Sequence, residues 1–374
     1  MTPAVRLFLA GDVMLGRGID QILPHPNDPI LYESYVKSAA DYVELAERDA
    51  GQIPCPVPFE YVWGDLLGDL ETRACDLRVI NLETAITTSD RPAPKGINYR
   101  MHPKNAPVLS AAGIDACILA NNHVMDWGRG GLVETLQVLD NAAIGHAGAG
   151  HGRDEAAAPL TLDAPGKPRV LVLAYGARSS GVPSDWAAGS MTPGLNLLPQ
   201  TVDATVAQTC DSLKPVRRSG DIVIVSLHWG GNWGYGIDPG DRALAHALID
   251  TGNADIVYGH SSHHPKAVEV HNGKMILYGC GDLINDYEGI GGHEKYRGDL
   301  ALAYVADLGP DGSLQTLALV PYRIRAFRLQ QATAEAAAWI AGVMDRECKV
   351  FGGRVTASGD RELRLTWDSA SSAA

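Results

Sequence analysis

The sequence predicts an α/β fold, and two observations carry that expectation. Short apolar runs rich in Val, Ile and Leu recur along the chain, each closed by glycine or a polar residue. Between them lie stretches with helical periodicity, and this alternation is the pattern of strands and helices stacked in layers. Ligands in such folds sit beyond the carboxyl ends of strands, so the residues after each run are where chemistry is sought.

Taken in order, the first strand is expected at Val5 to Ala10, closed by Gly11 and Asp12. Residues 24–59 are proline-punctuated around a helical stretch from Tyr35 to Ala50 and read as an insertion near the site. Strands follow at Leu77 to Leu82 and Ala116 to Ala120, with helices at Ala106 to Ala112 and Gly131 to Asn141. Next come strands at Val170 to Ala174, Ile222 to Leu227 and Ile256 to Tyr258, with a helix at Arg242 to Thr251. Met275 to Tyr278 and Ala301 to Val305 complete the strands. Residues 333–374 hold an alanine-rich helix (Thr333 to Arg346), a short β-like ending and a polar tail from Ser369 that is expected to fray. No repeat or long linker interrupts residues 1–374, which read as one domain.

Composition narrows the partners. Hydrophobic residues make up 45% and charged residues 20%, enough to bury a full core. A net charge of -13 disfavours nucleic acid, whose phosphates need clustered Lys and Arg. It suits a metal ion or a neutral or cationic peptide. The six cysteines are scattered without CxxC pairing, so a reducing, cytoplasmic setting is expected. No run approaches the length that spans a bilayer, and no membrane partner is expected.

Five strand ends lead into possible ligands or proton carriers: Asp12, Asn81-Leu82-Glu83, Asn121-Asn122-His123, His228-Trp229-Gly230 and Gly259-His260-Ser261-Ser262-His263-His264. Any one alone has a structural explanation, such as a helix cap, a turn or a satisfied buried histidine. Five in succession point to a shared pocket. Carboxylate, amide oxygen and imidazole together suit a divalent cation, and the absence of cysteine from these ends disfavours a structural zinc. Calcium, magnesium, manganese and catalytic zinc all remain compatible, and no organic cofactor is called for.

This motif order resembles the calcineurin-like metallophosphoesterase superfamily and, within it, the CapA type associated with poly-gamma-glutamate synthesis. The resemblance rests on Gly11-Asp12-Val13-Met14-Leu15-Gly16-Arg17, Asn81-Leu82-Glu83, Tyr99-Arg100-Met101-His102-Pro103, Leu119-Ala120-Asn121-Asn122-His123, His228-Trp229-Gly230, Gly259-His260-Ser261-Ser262-His263 and Tyr278-Gly279-Cys280-Gly281-Asp282. It implies a four-layer sandwich of two mixed β-sheets flanked by helices. It also implies metal positions at Asp12, Glu83, Asn122, His228, His260 and His263, with His123 as proton donor. Two departures matter. Met14 stands where the phosphoesterases carry a histidine, and Asn81-Leu82-Glu83 replaces their bridging aspartate motif. One ion is then expected rather than the close pair that clamps a transferring phosphoryl group.

Acid–base chemistry is well supplied. His123 is followed by Asp126, and a later stretch offers Asp282, Asp286 and His293. A histidine oriented by an aspartate is a tuned proton carrier, and two such units across a substrate suit inversion of a carbon centre. The structural alternative is that Asp282 and Asp286 only cap a turn. Arg17 and Arg100 are candidates to hold a carboxylate, and Trp229 and Trp233 to line a side-chain pocket, against ion pairing and loop packing as the structural alternatives. Gly291-Gly292-His293-Glu294 has the flexibility of a lid.

More narrowly, the chain resembles the CapA-like enzymes of lasso-peptide pathways. That implies a metal-dependent peptide epimerase inverting the α-carbon of the C-terminal residue of a ribosomal precursor, with His123, Asp126, Asp282 and His293 as the acid–base groups. The alternatives are a metal-dependent phosphoesterase, a hydrolase or transferase of γ-glutamyl polymer, and a non-catalytic polyglutamate-binding capsule accessory.

Overall fold

The computed structural model describes residues 4–359 and 362–368. The expected tail from Ser369 onward lies outside the described residues. Two large sheets dominate. The first runs Gly353–Ala357, Leu363–Trp367, Leu314–Arg325, Leu300–Leu308, Val5–Val13, Leu77–Leu82, Ala116–Ile118, Gly145–Ala147. Asp282–Ile284 adds to it beside Val5–Val13, and Arg328–Gln331 beside Leu314–Arg325. The second runs Val268–His271, Lys274–Leu277, Ile256–His260, Ile222–His228, Val170–Gly176, Leu160–Leu162.

Strand periodicity explains the layering, because successive side chains point to opposite faces. Leu7 and Leu9 enter the core between the sheets, whereas Phe8 and Ala10 face the helices outside the first sheet. Val172 and Ala174 enter the same central core, whereas Leu171 and Leu173 meet the helices over the second sheet. Those helices are Val202–Leu213 and Pro239–Asp250, which present Leu213, Leu244 and Leu248. The result is helix, sheet, sheet, helix, as the calcineurin-like resemblance implies.

The central strands are parallel in both sheets. Val5–Val13, Leu77–Leu82 and Ala116–Ile118 run together in one, Val170–Gly176, Ile222–His228 and Ile256–His260 in the other. Tyr258 ties the sheets together beneath the site: its hydroxyl accepts from Ala10 N at 3.0 Å and donates to Val79 O at 3.2 Å.

Two expectations on strands need correction. Ile256–His260 continues through Gly259, so His260 is a strand residue rather than the start of a loop. Gly259 fits because a Cβ there would lie 2.5 Å from Leu277 O on the neighbouring strand. The long strand Leu314–Arg325 went unread, since Pro321 within it argues against a sheet strand. The stretch expected as a helix over Tyr35 to Ala50 starts only at Ala39, after an N-cap at Ser38 whose side chain accepts from Ala40 N.

Candidate metal centre

A bulge positions the first ligand. Leu9 pairs with Val79 and Asp12 with Asn81, so two residues, Ala10 and Gly11, oppose one. Gly11 is required there: a Cβ would fall 1.6 Å from Gly281 O. Asp12 N instead donates to that carbonyl at 2.9 Å, which aims the carboxylate across the strand ends. On the second sheet His228 and His260 are direct register partners at the ends of adjacent strands. Ser261 then turns with φ 85, a strained conformation for a residue with a side chain, and its N–H donates to Asp12 Oδ2 at 3.3 Å.

Around this floor the side chains interlock. Asn81 Nδ2 donates to Asp12 Oδ1 at 2.7 Å and lies 3.4 Å from His228 Nδ1. Asn121 Nδ2 donates to Asn81 Oδ1 at 3.2 Å, while Asn121 Oδ1 accepts from the backbone of His123 and Val124. Asn122 Oδ1 lies 2.9 Å from His228 Nε2. Glu83 Oε1 stands 3.7 Å from His228 Nε2 and 3.8 Å from His123 Nε2. His263 Nδ1 meets Asp282 Oδ1 at 2.9 Å, leaving Nε2 as acceptor for Asn232 Nδ2 at 3.0 Å. Ligand atoms of Asp12, His263 and Asp282 all fall within 4.8 Å of one another.

The electrostatics are those of an uncompensated acidic pocket. Burial, then the neighbouring Asp12 charge, pushes the Glu83 carboxyl well above its ordinary range. Burial also raises Asp12, but nearby His260 and His228 outweigh it and hold that carboxyl down. Burial lowers His228 to about 3 and His123 to about 4. For His263 burial acts in the same direction, yet the Asp282 charge prevails and raises it.

Three buried atoms here lack any hydrogen-bond partner: both ring nitrogens of His260 and Glu83 Oε2. His260 Nδ1 lies 3.4 Å from Asp12 Oδ1 without hydrogen-bond alignment. An orphaned buried polar group costs on the order of 1–3 kcal/mol, so three in one cluster call for an outside partner. Imidazole and carboxylate donors without thiolate fit a divalent cation. Asp12, Glu83, His228 and His260 are the residues that would hold it, with His263 and Asp282 paired to each other beside them. Position 14 supplies no donor nitrogen: Met14 is buried, and its sulfur takes a 3.6 Å contact from the Tyr287 hydroxyl.

Residues 6–287 match the family of bacterial capsule synthesis proteins, PGA_cap. That span contains every strand end just described. The chain belongs to the PGA_cap family. A Mycobacterium tuberculosis protein named probable polyglutamine synthesis accessory protein is 46% identical over 364 residues, 96% of each chain. The PGA biosynthesis protein CapA of Bacillus subtilis is 26% identical over 298 residues, 76% of this chain and 66% of that one. The capsule biosynthesis protein CapA of Bacillus anthracis is 24% identical over 280 residues, 75% of this chain and 59% of that one.

In this PGA_cap chain the six residues expected at metal positions lie around the same strand ends, with Asn122 the most exposed of them and engaged by His228. The His123–Asp126 pair is present, Nδ1 to Oδ2 at 2.6 Å. The second pair is different from the one expected. Asp282 partners His263, whereas His293 is exposed and stacks on Trp233 at 3.9 Å between ring centroids. His293 follows Gly291 and Gly292 on an exposed turn, and its ring makes no hydrogen bond to a carboxylate among the described residues.

Three of the four substrate-binding candidates are otherwise engaged. Arg17 is buried, ion-paired to Glu33 Oε1 at 3.0 Å and to Asp286. Asp286 is therefore an ion-pair partner rather than a turn cap. Arg100 donates to Ser89 O at 2.7 Å and lies 3.9 Å over the Trp127 ring. Trp229 is buried, and its Nε1 donates to Tyr278 O at 3.0 Å. Their polar groups are satisfied within the fold, although Arg17 still borders the large cleft and Trp229 a smaller, separate pocket.

Trp233 does line a cleft of about 640 Å³ that reaches the centre through His263 and Asn232. Tyr35, Tyr287, Ile290, His293 and Arg297 form other parts of its wall, so residues of the 24–59 stretch border the site. Sequence reading missed Lys95, whose Nζ lies 2.7 Å from Asp126 Oδ1 and 3.3 Å from His123 Nδ1. It sits in the loop Pro92-Ala93-Pro94-Lys95-Gly96, which carries no periodic signal. Asn81 was within reach, as it heads a quoted strand end. His264, which had no matched role, accepts from Gly234 N at 3.1 Å and stacks on Tyr296, pinning the Trp233 loop. Among the described residues no helix is long and apolar enough to cross a membrane.

Proposed function

We propose that this protein is a divalent-metal-dependent accessory enzyme of polyglutamine or polyglutamate synthesis, acting on an amide-linked chain held in the 640 Å³ cleft. The observation that carries the reading is two histidine–aspartate pairs, His123–Asp126 and His263–Asp282, beside a buried cluster with orphaned donor atoms. The names of the M. tuberculosis and Bacillus relatives supply the polymer. A bound cation would stabilise negative charge developing on a substrate carbonyl oxygen.

Within that frame, the reaction we infer is inversion at an α-carbon of the chain. Asp126 and Asp282 each fix the ring of their histidine through Nδ1, so that Nε2 is the atom left to move a proton. Lys95 pairs with the other oxygen of Asp126, Oδ1. Asn232 occupies His263 Nε2 at the cleft wall, and a substrate must displace it to reach that atom. A polyglutamine or polyglutamate chain takes the place of the ribosomal precursor as the substrate proposed. The second reading is hydrolysis or transfer of the amide, favoured by the same capsule-synthesis relatives.

The test is incubation of the metal-loaded protein with poly-γ-glutamate and with a glutamine peptide in deuterated water, followed by mass and chiral analysis. Deuterium at an inverted α-carbon supports epimerisation. New amine ends without exchange support the second reading. Neither change, with chain binding retained, sinks both in favour of a non-catalytic accessory. His123→Ala is expected to lower turnover by about 10²- to 10⁴-fold, the usual contribution of a positioned proton carrier. An unchanged rate removes His123 from the chemistry.

A further inference from the structure

A second pocket of about 300 Å³ is walled by Trp229, Trp233 and Tyr278 and edged by the glycine-rich turn that follows Trp229. It shares Trp233 with the larger cleft but none of the metal-centre residues. Three charged side chains line it, Lys266, Asp241 and Asp238; Asp238 is engaged as the cap of the following helix, accepting from Gly240 N at 2.7 Å, which leaves Lys266 and Asp241.

Lys266 is 9% exposed. Its backbone N–H is used, donating to Gly279 O at 2.8 Å, yet its ammonium has no hydrogen-bond or ion-pair partner among the described residues. The Asp241 carboxylate is equally without a partner there. Both converge on the same point: a Cβ built at Gly230 would meet Asp241 Oδ2 at 3.7 Å and Lys266 Nζ at 3.9 Å. Gly230 leaves that point open, and its φ of 71 disfavours any side chain that would fill it. Burial lowers Lys266 and raises Asp241 to about 6, the mark of two charges that do not compensate each other fully.

We propose that this pocket binds a free α-amino acid, its carboxylate on Lys266 and its ammonium on Asp241, with the side chain against Trp229 and Trp233. The charges select the ligand. A simple anion would gain Lys266 but face Asp241, and a metal ion or amine would gain Asp241 but face Lys266. A zwitterion with its two charges on neighbouring groups satisfies both and closes the gap that the side chains leave. The volume lies at the lower end of small-molecule sites, which matches a single amino acid rather than a chain. The inference is independent of the reaction at the metal centre.

Calorimetric titration of the full chain with glycine, L-alanine, L-glutamate, L-glutamine and L-phenylalanine tests it, with acetate and ethylamine as half-ligands. At least one amino acid is expected to bind saturably, and equally well after chelator treatment. Lys266→Met and Asp241→Asn are each expected to weaken binding by about tenfold or more, the worth of one charge-assisted hydrogen bond. Absence of saturable binding, binding unchanged in both variants, or binding abolished by chelation each overturns the proposal. Should a variant fail to fold by circular dichroism, the half-ligands decide on the unaltered chain. Acetate or ethylamine binding as tightly as the amino acid overturns it, and binding about tenfold weaker sustains it.

Discussion

Two buried charge clusters lie side by side in this protein, and the same two segments build both. The strand Val5–Val13 supplies Asp12 to one and the turn after it supplies Arg17 to the other. Asp282–Ile284 supplies Asp282 to the first and, four residues on, Asp286 to the second. In the Arg17 cluster the guanidinium donates through Nε to Asp286 Oδ2 at 3.1 Å and through Nη1 to Glu33 Oε1 and the Tyr42 hydroxyl, both at 3.0 Å. Tyr42 and Tyr99 sandwich it at 4.0 and 4.3 Å. In the other cluster Asp12 and Asp282 bond to amides and an imidazole, and Glu83 faces imidazoles. None of the three is ion-paired to a guanidinium or ammonium among the described residues, and the His260 ring makes no hydrogen bond. One cluster contains its own cation. The other is shaped to receive one.

The largest expected effect separates them on stability. Arg17→Met leaves Asp286 and Glu33 buried without their cation and is expected to cost about 3–5 kcal/mol in urea unfolding. Glu83→Gln removes a charge from a cluster that lacks compensation, so in chelator-treated protein at neutral pH it is expected to cost nothing and to raise stability. Comparable losses in the two variants would mean that Glu83 is already balanced from within, and the contrast would collapse.

Next in size is the response to the ion itself. Manganese, zinc or calcium added at about a hundred times its Kd is expected to stabilise the folded chain by about 2.7 kcal/mol, read as a rise in Tm. His260→Ala should abolish most of that rise, because both of its buried ring nitrogens lack a hydrogen-bond partner and are the donors best placed to bind the ion. Arg17 variants that still fold should keep it. A metal-induced rise that persists in His260→Ala places the ion elsewhere.

How far this contrast was legible in the sequence follows from what sequence patterns record. Strand ends were readable because an apolar run stopping at Asp12, Glu83, His123, His228 or His260 is a local signal, and parallel topology then gathers such ends on one edge. The four-layer order followed from motif order by resemblance. Partner choice was not readable. Nothing near Arg17 in the chain announces that Asp286, 269 residues away, will take its guanidinium. Nor does spacing reveal that Asp282 turns to His263 rather than to His293, which sits closer in sequence. Lys95 escaped for the same reason: its loop has no period, and only the folded chain brings it to Asp126. Periodicity reports which face a residue occupies, while ion pairing across hundreds of residues is fixed by tertiary packing alone.

Smallest per pH unit, and the sharpest, is the pH dependence of the chelator-treated protein. Burial raises the Glu83 carboxyl well above its ordinary value of 4.5. The folded state therefore holds a proton that the unfolded chain releases, and stability from this group is fully present below about pH 4.5. It is lost as pH rises from there through the raised folded value, by up to about 1.4 kcal/mol per pH unit while the folded state alone carries the proton. Glu83→Gln should flatten that slope, since the amide cannot ionise. Bound metal should flatten it as well, because a cation replaces the proton as the group that lets the Glu83 carboxylate stay charged. Unfolding measured between pH 4.5 and 8 with chelator, with metal and with Glu83→Gln gives three curves. A slope that survives metal addition but disappears in Glu83→Gln would show that Glu83 stays outside the ion's reach, and would move the coordinating role to Asp12, His263 and Asp282.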